Sequence, residues 1–445
     1  MPGPVRTILK KRILALLAVL TVGGLAAGCG QLSEPPRPNV LLISADTLRF
    51  DHLGVNGYER DTTPALDALA ARGLNFTHAY SHAPQTAMSH TSLLTSLYPS
   101  VHGVFEHGQE PDPDLVTLPE ALQAAGYATG AFTQLNGRTF EPGFETWHYL
   151  ESELESNKGL ADLSVLTDWV GAREKPWFAF LHSYDVHLPY SPEEEYIEMW
   201  APDYDGVLKG EFVRRRTVDA VNDGSLVTTE RDRQYIVDLY DAELRRLDDI
   251  YTKLFADLEA MGELDNTIVI LFSDHGEEFG EHGNWGRHSY TLHEELLRVP
   301  LIFAGPGIPV GQTEDAAVRL VDVAPTIFDL LQIEHPEHIM GEALQPIWDG
   351  TERTPRQVVA ERNNERALIH AGFKYYQDKL YDLRADPWGT VDVAAENPDV
   401  VERLSVALTD WTARFAEMAA VVRTDGTIRL TPEEERRLRA LGYLQ

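Results

Sequence analysis

Two stretches of this chain, NVLLISAD (Asn39 to Asp46) and NTIVILFSD (Asn266 to Asp274), are apolar at almost every position and end on an aspartate. A strand with one wet face alternates apolar and polar residues. A run that does not alternate must be covered on both faces, as in a parallel sheet flanked by helices. WFAFLHSYD (Trp177 to Asp185) and VPLIFAGPG (from Val299) have the same character. Helical patterns lie between these runs. In TTPALDALAARG, Thr63 is placed as N-cap, Pro64 as the first helical residue and Gly73 as the stop. TLPEALQAAGYATGAFT reads as a helix followed by a strand. From Thr229 to about Gly262, residues Leu239, Leu244, Leu247, Ile250, Leu254 and Leu258 recur at helical spacing, behind a capping-box pair, Thr229 and Asp232. This alternation predicts an α/β fold with a doubly wound, mostly parallel sheet over residues 39–340. The polar stretch from Tyr196 to Val227 is expected to be an irregular surface insertion. After Met340 the pattern changes to a hairpin-like ALIHAGFKYYQDKLYDL and an amphipathic NPDVVERLSVALTDWTARFAEMAAVV, so residues 341–445 are expected to form a smaller α+β subdomain.

The chain carries 70 Asp and Glu against 38 Lys and Arg, which excludes a basic nucleic-acid-binding face. Arg6, Lys10, Lys11 and Arg12 precede an apolar stretch, Ile13 to Ala27, that is short for a membrane span. It ends in LAAGC, whose Cys29 is the only cysteine of the sequence. This resembles a bacterial lipobox: residues 1–28 would be a signal peptide, Cys29 would carry the lipid anchor to a membrane, and residues 29–38 would be a Pro-rich tether. The alternative is an ordinary cleaved signal peptide. Either way the protein is expected to be exported, and its folded part has no disulfide and no cysteine nucleophile.

Ligands gather at the carboxyl ends of the strands in open α/β sheets. Asp46, Asp185 and Asp274 each end a strand-like run, with His187 and His275 close behind, and His288 follows in the polar loop GEHGNWGRHSY. A lone Asp after a strand is usually a turn or capping residue. Several at one edge of one sheet point to a metal centre. Asp46, Asp274, His275 and the hydroxyl of Thr86 make one set, and Asp185, His187 and His288 a second with an open position. Two divalent ions are expected, zinc first and manganese or calcium next. Thr86 lies in APQTAMSHTSLLTSLYP, ahead of a helix start placed at Ser89 to Thr95. A cation lowers the pKa of such an alcohol and orients it as a nucleophile. Its bland alternative is a helix N-cap.

These segments together resemble the sulfatase branch of the alkaline phosphatase superfamily. PNVLLISADTLRFDHLGVNGY and NTIVILFSDHGEEFGEHG are similar to the metal-binding strands of that family, and LVDVAPTIFDLL and KLYDLRADP to its C-terminal signatures. TAMSHTSLLTSLYPSVHG sits where sulfatases carry C-x-P-S-R, whose Cys or Ser becomes a formylglycine. Thr86 cannot become that aldehyde. His90 stands in the place of the motif's Arg, Thr47 in that of a second Asp, Gln134 and Asn136 in those of a sulfate-binding Lys and His, and His288 in that of another Lys. The resemblance therefore implies a metal-dependent ester hydrolase with a Thr nucleophile, more suited to phosphoesters, phosphodiesters above all, than to sulfate esters. Asn136 would hydrogen-bond an oxygen of the transferred group, or would simply be a turn residue. Phosphoryl transfer to envelope lipids or glycans, and a silent lipid-anchored binding protein, are the alternatives. The substrate is expected to be a small-molecule or envelope ester.

Overall fold

The computed structural model describes residues 37–135, 140–150, 160, 163–173, 176–210 and 212–422. Residues 1–36, which include the expected signal peptide, Cys29 and most of the expected tether, lie outside them, as does Asn136. No helix among the described residues is long and apolar enough to cross a membrane.

The apolar runs form the strands they predict. The main sheet contains β1 (Asn39–Ala45), β2 (Gly73–Tyr80), β3 (Ala128–Thr133), β4 (Thr146–Tyr149), β5 (Trp177–Ser183), β6 (Thr267–Phe272), β7 (Arg298–Ala304), β8 (Gln312–Glu314) and β9 (Val318–Arg319). Their order is β4-β3-β5-β1-β6-β7-β2-β8, with β9 also on β2. From β4 to β6 every pairing is parallel, and β7 runs against both β6 and β2. β1 is central, and all seven of its residues are buried. Its side chains feed two cores in alternation: Leu41 and Ile43 pack with the long helix Glu230–Ala260, and Val40 and Leu42 with the helix Val323–Leu331 on the other face. This is the doubly wound α/β arrangement that the unbroken apolar runs require.

Two expectations change. The helix after Gln85 begins at Thr86, three residues before the expected start, and runs to Thr95 with all ten residues buried. The polar insertion is not irregular. It contains the helices Glu194–Trp200 and Arg215–Asn222, and Tyr204, Leu208, Val213 and Val218 enter the main core.

Beyond Met340 a second, antiparallel sheet runs in sequence order through β10 (Val358–Arg362), β11 (Glu365–His370), β12 (Phe373–Tyr376) and β13 (Lys379–Asp382), and the helix Pro398–Val422 covers it. The expected hairpin is its β11–β13 portion.

Candidate active site

Register alone brings two aspartates together. Ser44 on β1 pairs with Phe272 on β6, so Asp46 and Asp274, each two residues further on, leave the sheet side by side. Asp46, Asp274 and His275 are completely buried, and one ligand atom from each lies within 4.8 Å of the others. Gly276 lets the chain after His275 close onto the helix Glu294–Leu297, because a Cβ there would overlap the Glu295 carbonyl. Thr86 Oγ1 donates to Asp46 Oδ2 at 3.2 Å and lies 3.4 Å from His275 Nε2. Thr86 is the first residue of its helix, and Gln85 holds the N-cap position, so the capping alternative does not hold.

The histidine tautomers follow from their partners. His275 Nδ1 donates to Gly276 O at 2.9 Å, which turns Nε2 toward both carboxylates. His90 Nδ1 donates to Thr86 O at 2.9 Å, and its Nε2 accepts from Ser44 Oγ at 2.8 Å. His187 Nδ1 donates to Leu188 O at 2.6 Å and His288 Nδ1 to Glu277 Oε1 at 3.1 Å. The His288 ring lies 4.6 Å from that of His275 and 5.0 Å from that of His187. These rings therefore converge on the carboxylates and Thr86.

Burial, reinforced by Asp274, raises the Asp46 carboxyl well above the usual range. Burial would raise Asp274 too, but His275 and His90 hold it low. Burial works against the charged form of His275, yet Asp274 and Asp46 together raise it. Burial is the first cause of the low values of His90 and His182, about 4, and of His187, about 3.

Asp185 does not join this convergence. Its Oδ1 is held by Arg246 Nη1 at 2.8 Å, and burial raises its pKa to about 6. The expected second ligand set is thus not assembled as drawn: His187 and His288 face the centre, while Asp185 is committed to the long helix. Among the described residues, the one acidic and imidazole group with metal-like spacing is Asp46, Asp274 and His275. Asp274 fits a cation well, because neither of its buried oxygens accepts a hydrogen bond among the described residues. Asp46 Oδ1 is likewise unbonded. Three unbonded oxygens on two buried carboxylates, facing an imidazole Nε2, want a positive charge between them. Thr47 adopts a left-handed φ of 57°, and its hydroxyl donates to the backbone oxygens of Asp46 and Val186 rather than to a ligand. Gln134 Oε1 accepts from Tyr184 N at 2.6 Å.

Two further histidines contribute. His182, inside β5, donates from Nε2 to Asp46 Oδ2 at 3.3 Å. His107 lies within electrostatic reach of His90, Asp274, His275 and His187. A histidine interrupting the apolar run WFAFLHSYD is the one sequence signal that marked His182; nothing local marks His107.

The profile of the family described as Sulfatase matches residues 38–333. An ulvan-active sulfatase of Formosa agariphila is 27% identical over 351 residues, 71% of this chain and 66% of that protein. An N-acetylglucosamine-6-O-sulfatase of Bacteroides thetaiotaomicron is 23% identical over 517 residues, 89% of this chain and 91% of that protein. Among solved structures, a phosphonate monoester hydrolase of Agrobacterium radiobacter superposes with a TM-score of 0.68 at 21% identity, over 85% of this chain and 96% of that one.

Proposed function

The chain belongs to the sulfatase family and is by that membership an ester hydrolase, and we propose that it works through Thr86 as nucleophile, on phosphoesters and on phosphodiesters first. The observation that carries this reading is the hydroxyl of Thr86, 3.2 Å from Asp46 Oδ2 at the first turn of a buried helix.

Sulfatase-family enzymes bind divalent metal ions, and here Asp46, Asp274 and His275 would hold one. Such an ion, when bound, screens the two carboxylates and lowers the pKa of a neighbouring hydroxyl. The other steps belong to the chain. Asp46 accepts the Thr86 proton and fixes the direction of the oxygen's lone pairs. The new Thr86 Oγ1–phosphorus bond forms as the bond to the leaving alcohol breaks. Thr86 is the first residue of its helix, so the positive end of the helix dipole lies beside the charge that develops there. Asp46 passes the Thr86 proton on to the departing alcohol oxygen. His187 and His288 have their Nδ1 protons committed to Leu188 O and Glu277, so Nε2 is the proton-accepting nitrogen of each ring, suited to taking the proton of the attacking water. Water then displaces the threonine oxygen from phosphorus, and Thr86 recovers its proton.

The choice of phosphorus over sulfur rests on how the adduct is cleared. A formylglycine hydrate has a second hydroxyl that can expel a bound sulfate. Thr86 has none, so its ester must be broken by water at the central atom, as phosphothreonine chemistry allows. A sulfate ester is the second reading, favoured by the relatives' names.

The test is a panel of aryl phosphodiesters, phosphonate monoesters, phosphomonoesters and sulfates with wild type, Thr86→Ser and Thr86→Ala. We expect diester turnover in wild type, partial turnover in Thr86→Ser, and a loss of at least about a thousandfold in Thr86→Ala with metal content kept. Full activity of Thr86→Ala refutes the nucleophile, and turnover confined to sulfates refutes the substrate class.

A further inference from the structure

A basic cluster stands beside this centre in an otherwise acidic chain. Arg214, Arg215 and Arg216 open the helix Arg215–Asn222 of the insertion, and Arg287 precedes His288. Local bonding fixes their place. Val213 bridges Tyr190 by two backbone hydrogen bonds, of 2.9 and 3.2 Å, three residues after His187. At the other end of the helix, Asn222 exchanges hydrogen bonds with the Trp285 backbone at 2.8 and 2.9 Å. The insertion is thus tied to both loops that carry His187 and His288.

Tyr290 organises the guanidinium groups. Its hydroxyl accepts from Arg215 Nη2 at 2.7 Å, and Arg215 and Arg287 lie 5.7 and 5.8 Å from its ring centre. Tyr290 is held in turn by Ser289, which adopts a φ of 72°, donates to Pro84 O and accepts from Arg362. Pro84 lies two residues before Thr86. A left-handed φ at a non-glycine residue costs energy and persists where surrounding bonds enforce it. The cluster has one shared acidic partner, Asp219, which accepts from Arg215 at 3.3 Å and from Arg287 at 2.7 Å. Arg216 is exposed, and Tyr290 is 41% exposed.

A chain of formal net charge −32 has no general reason to concentrate arginines here. Two planar guanidiniums, Arg215 and Arg287, oriented by one aromatic ring and sharing one aspartate, suit recognition of an oxyanion. We propose that Arg215 and Arg287 form a specificity subsite for an ester that carries a second anionic group, a carboxylate, phosphate or sulfate, on one of its organic arms. This deepens the reading above and rests on its placing the reaction at Thr86.

Two 4-nitrophenyl phosphodiesters test it, identical except that the second arm ends in a carboxylate or in the isosteric carboxamide. Wild type should favour the carboxylate by about tenfold in kcat/KM, the scale of one charge-assisted contact. The ratio should fall toward one in Arg215→Gln/Arg287→Gln and at high salt. In Thr86→Ala, equilibrium binding should show the same preference. A ratio at or below one in wild type overturns the subsite, as does a preference untouched by the double substitution. If neither diester is turned over, the phosphodiester reading fails alone, and the binding ratio in wild type still decides the subsite.

Discussion

Asp274 is buried with no hydrogen bond to either carboxylate oxygen among the described residues, and its nearest imidazole nitrogens are His275 Nε2 at 3.4 Å and His90 Nδ1 at 3.7 Å. A buried carboxylate in that state is stabilised by a cation or destabilises the fold. Added divalent metal should therefore raise the melting temperature of chelator-treated wild type, by the equivalent of about 2.7 kcal/mol at a hundredfold excess over Kd. Asp274→Asn should remove that response. Differential scanning fluorimetry across a metal series reads both, and a metal shift that survives in Asp274→Asn sinks the assignment. Asp46, Asp274 and His275 stand where strand-like runs end, which makes them readable as a ligand set, and Thr86 is singled out three residues ahead of the expected helix start. Asp185 has the same signature and a different fate. Its partner Arg246 is 61 residues away on a helix, and nothing local announces the pairing. His182 escaped for the opposite reason, since a histidine within an apolar strand reads as core.

The long helix shows what the sequence signals at the scale of an element. Thr229 and Asp232 form the capping box that their spacing predicts, with Asp232 N donating to Thr229 Oγ1 at 3.2 Å and Thr229 N to Asp232 Oδ2 at 2.7 Å. Strands β1, β5 and β6 fall within one or two residues of their apolar runs. β2 was not read, because GLNFTHAY mixes polar and apolar residues without a run and follows directly on a helix stop. The insertion's helices were not read because seven- and eight-residue helices hold too few turns to show a period. Asp232 joins these two levels, since its Oδ1 also accepts from Tyr204 OH at 2.6 Å and from Val207 N at 3.2 Å in the insertion. Desolvation works to raise its pKa, but the bonds from Tyr204 and Thr229 outweigh it and hold the group at about 2. The folded value lies below the free one, so this stabilisation is complete above about pH 4 and is lost as pH falls toward 2. Asp232→Asn should lower neutral-pH stability by about 1 kcal/mol and flatten the acid limb of a stability–pH curve over that window. An unchanged acid slope in denaturant titrations counts against it.

From Pro38 onward the chain forms one compact unit, although it contains two sheets. Their junction reaches the active-site loop. His82 donates from Nδ1 to Val359 O on β10 at 2.7 Å, and Glu361 N donates to His82 O at 2.8 Å, four residues before Thr86. Glu361 also accepts from Ser100 and from Arg366. The second sheet therefore braces the approach to the nucleophile. Nearby, Lys374 Nζ on β12 meets Glu294 Oε1 at 2.9 Å, with both side chains 1% exposed, just before β7 of the main sheet begins. Breaking one side of such a pair leaves a buried charge uncompensated. Lys374→Met should thus cost roughly 3–5 kcal/mol, and Glu294→Gln should also be costly, whereas the double variant should recover part of the loss through a coupling of about 0.5–3 kcal/mol. Urea unfolding of the four proteins measures that cycle. Because the junction holds the loop ahead of Thr86, each single variant should also lose turnover, with residual activity following stability. Strictly additive effects, or a second sheet that melts separately while turnover persists, would show that the two sheets do not share their stability and that the nucleophile's loop is held by the main sheet alone.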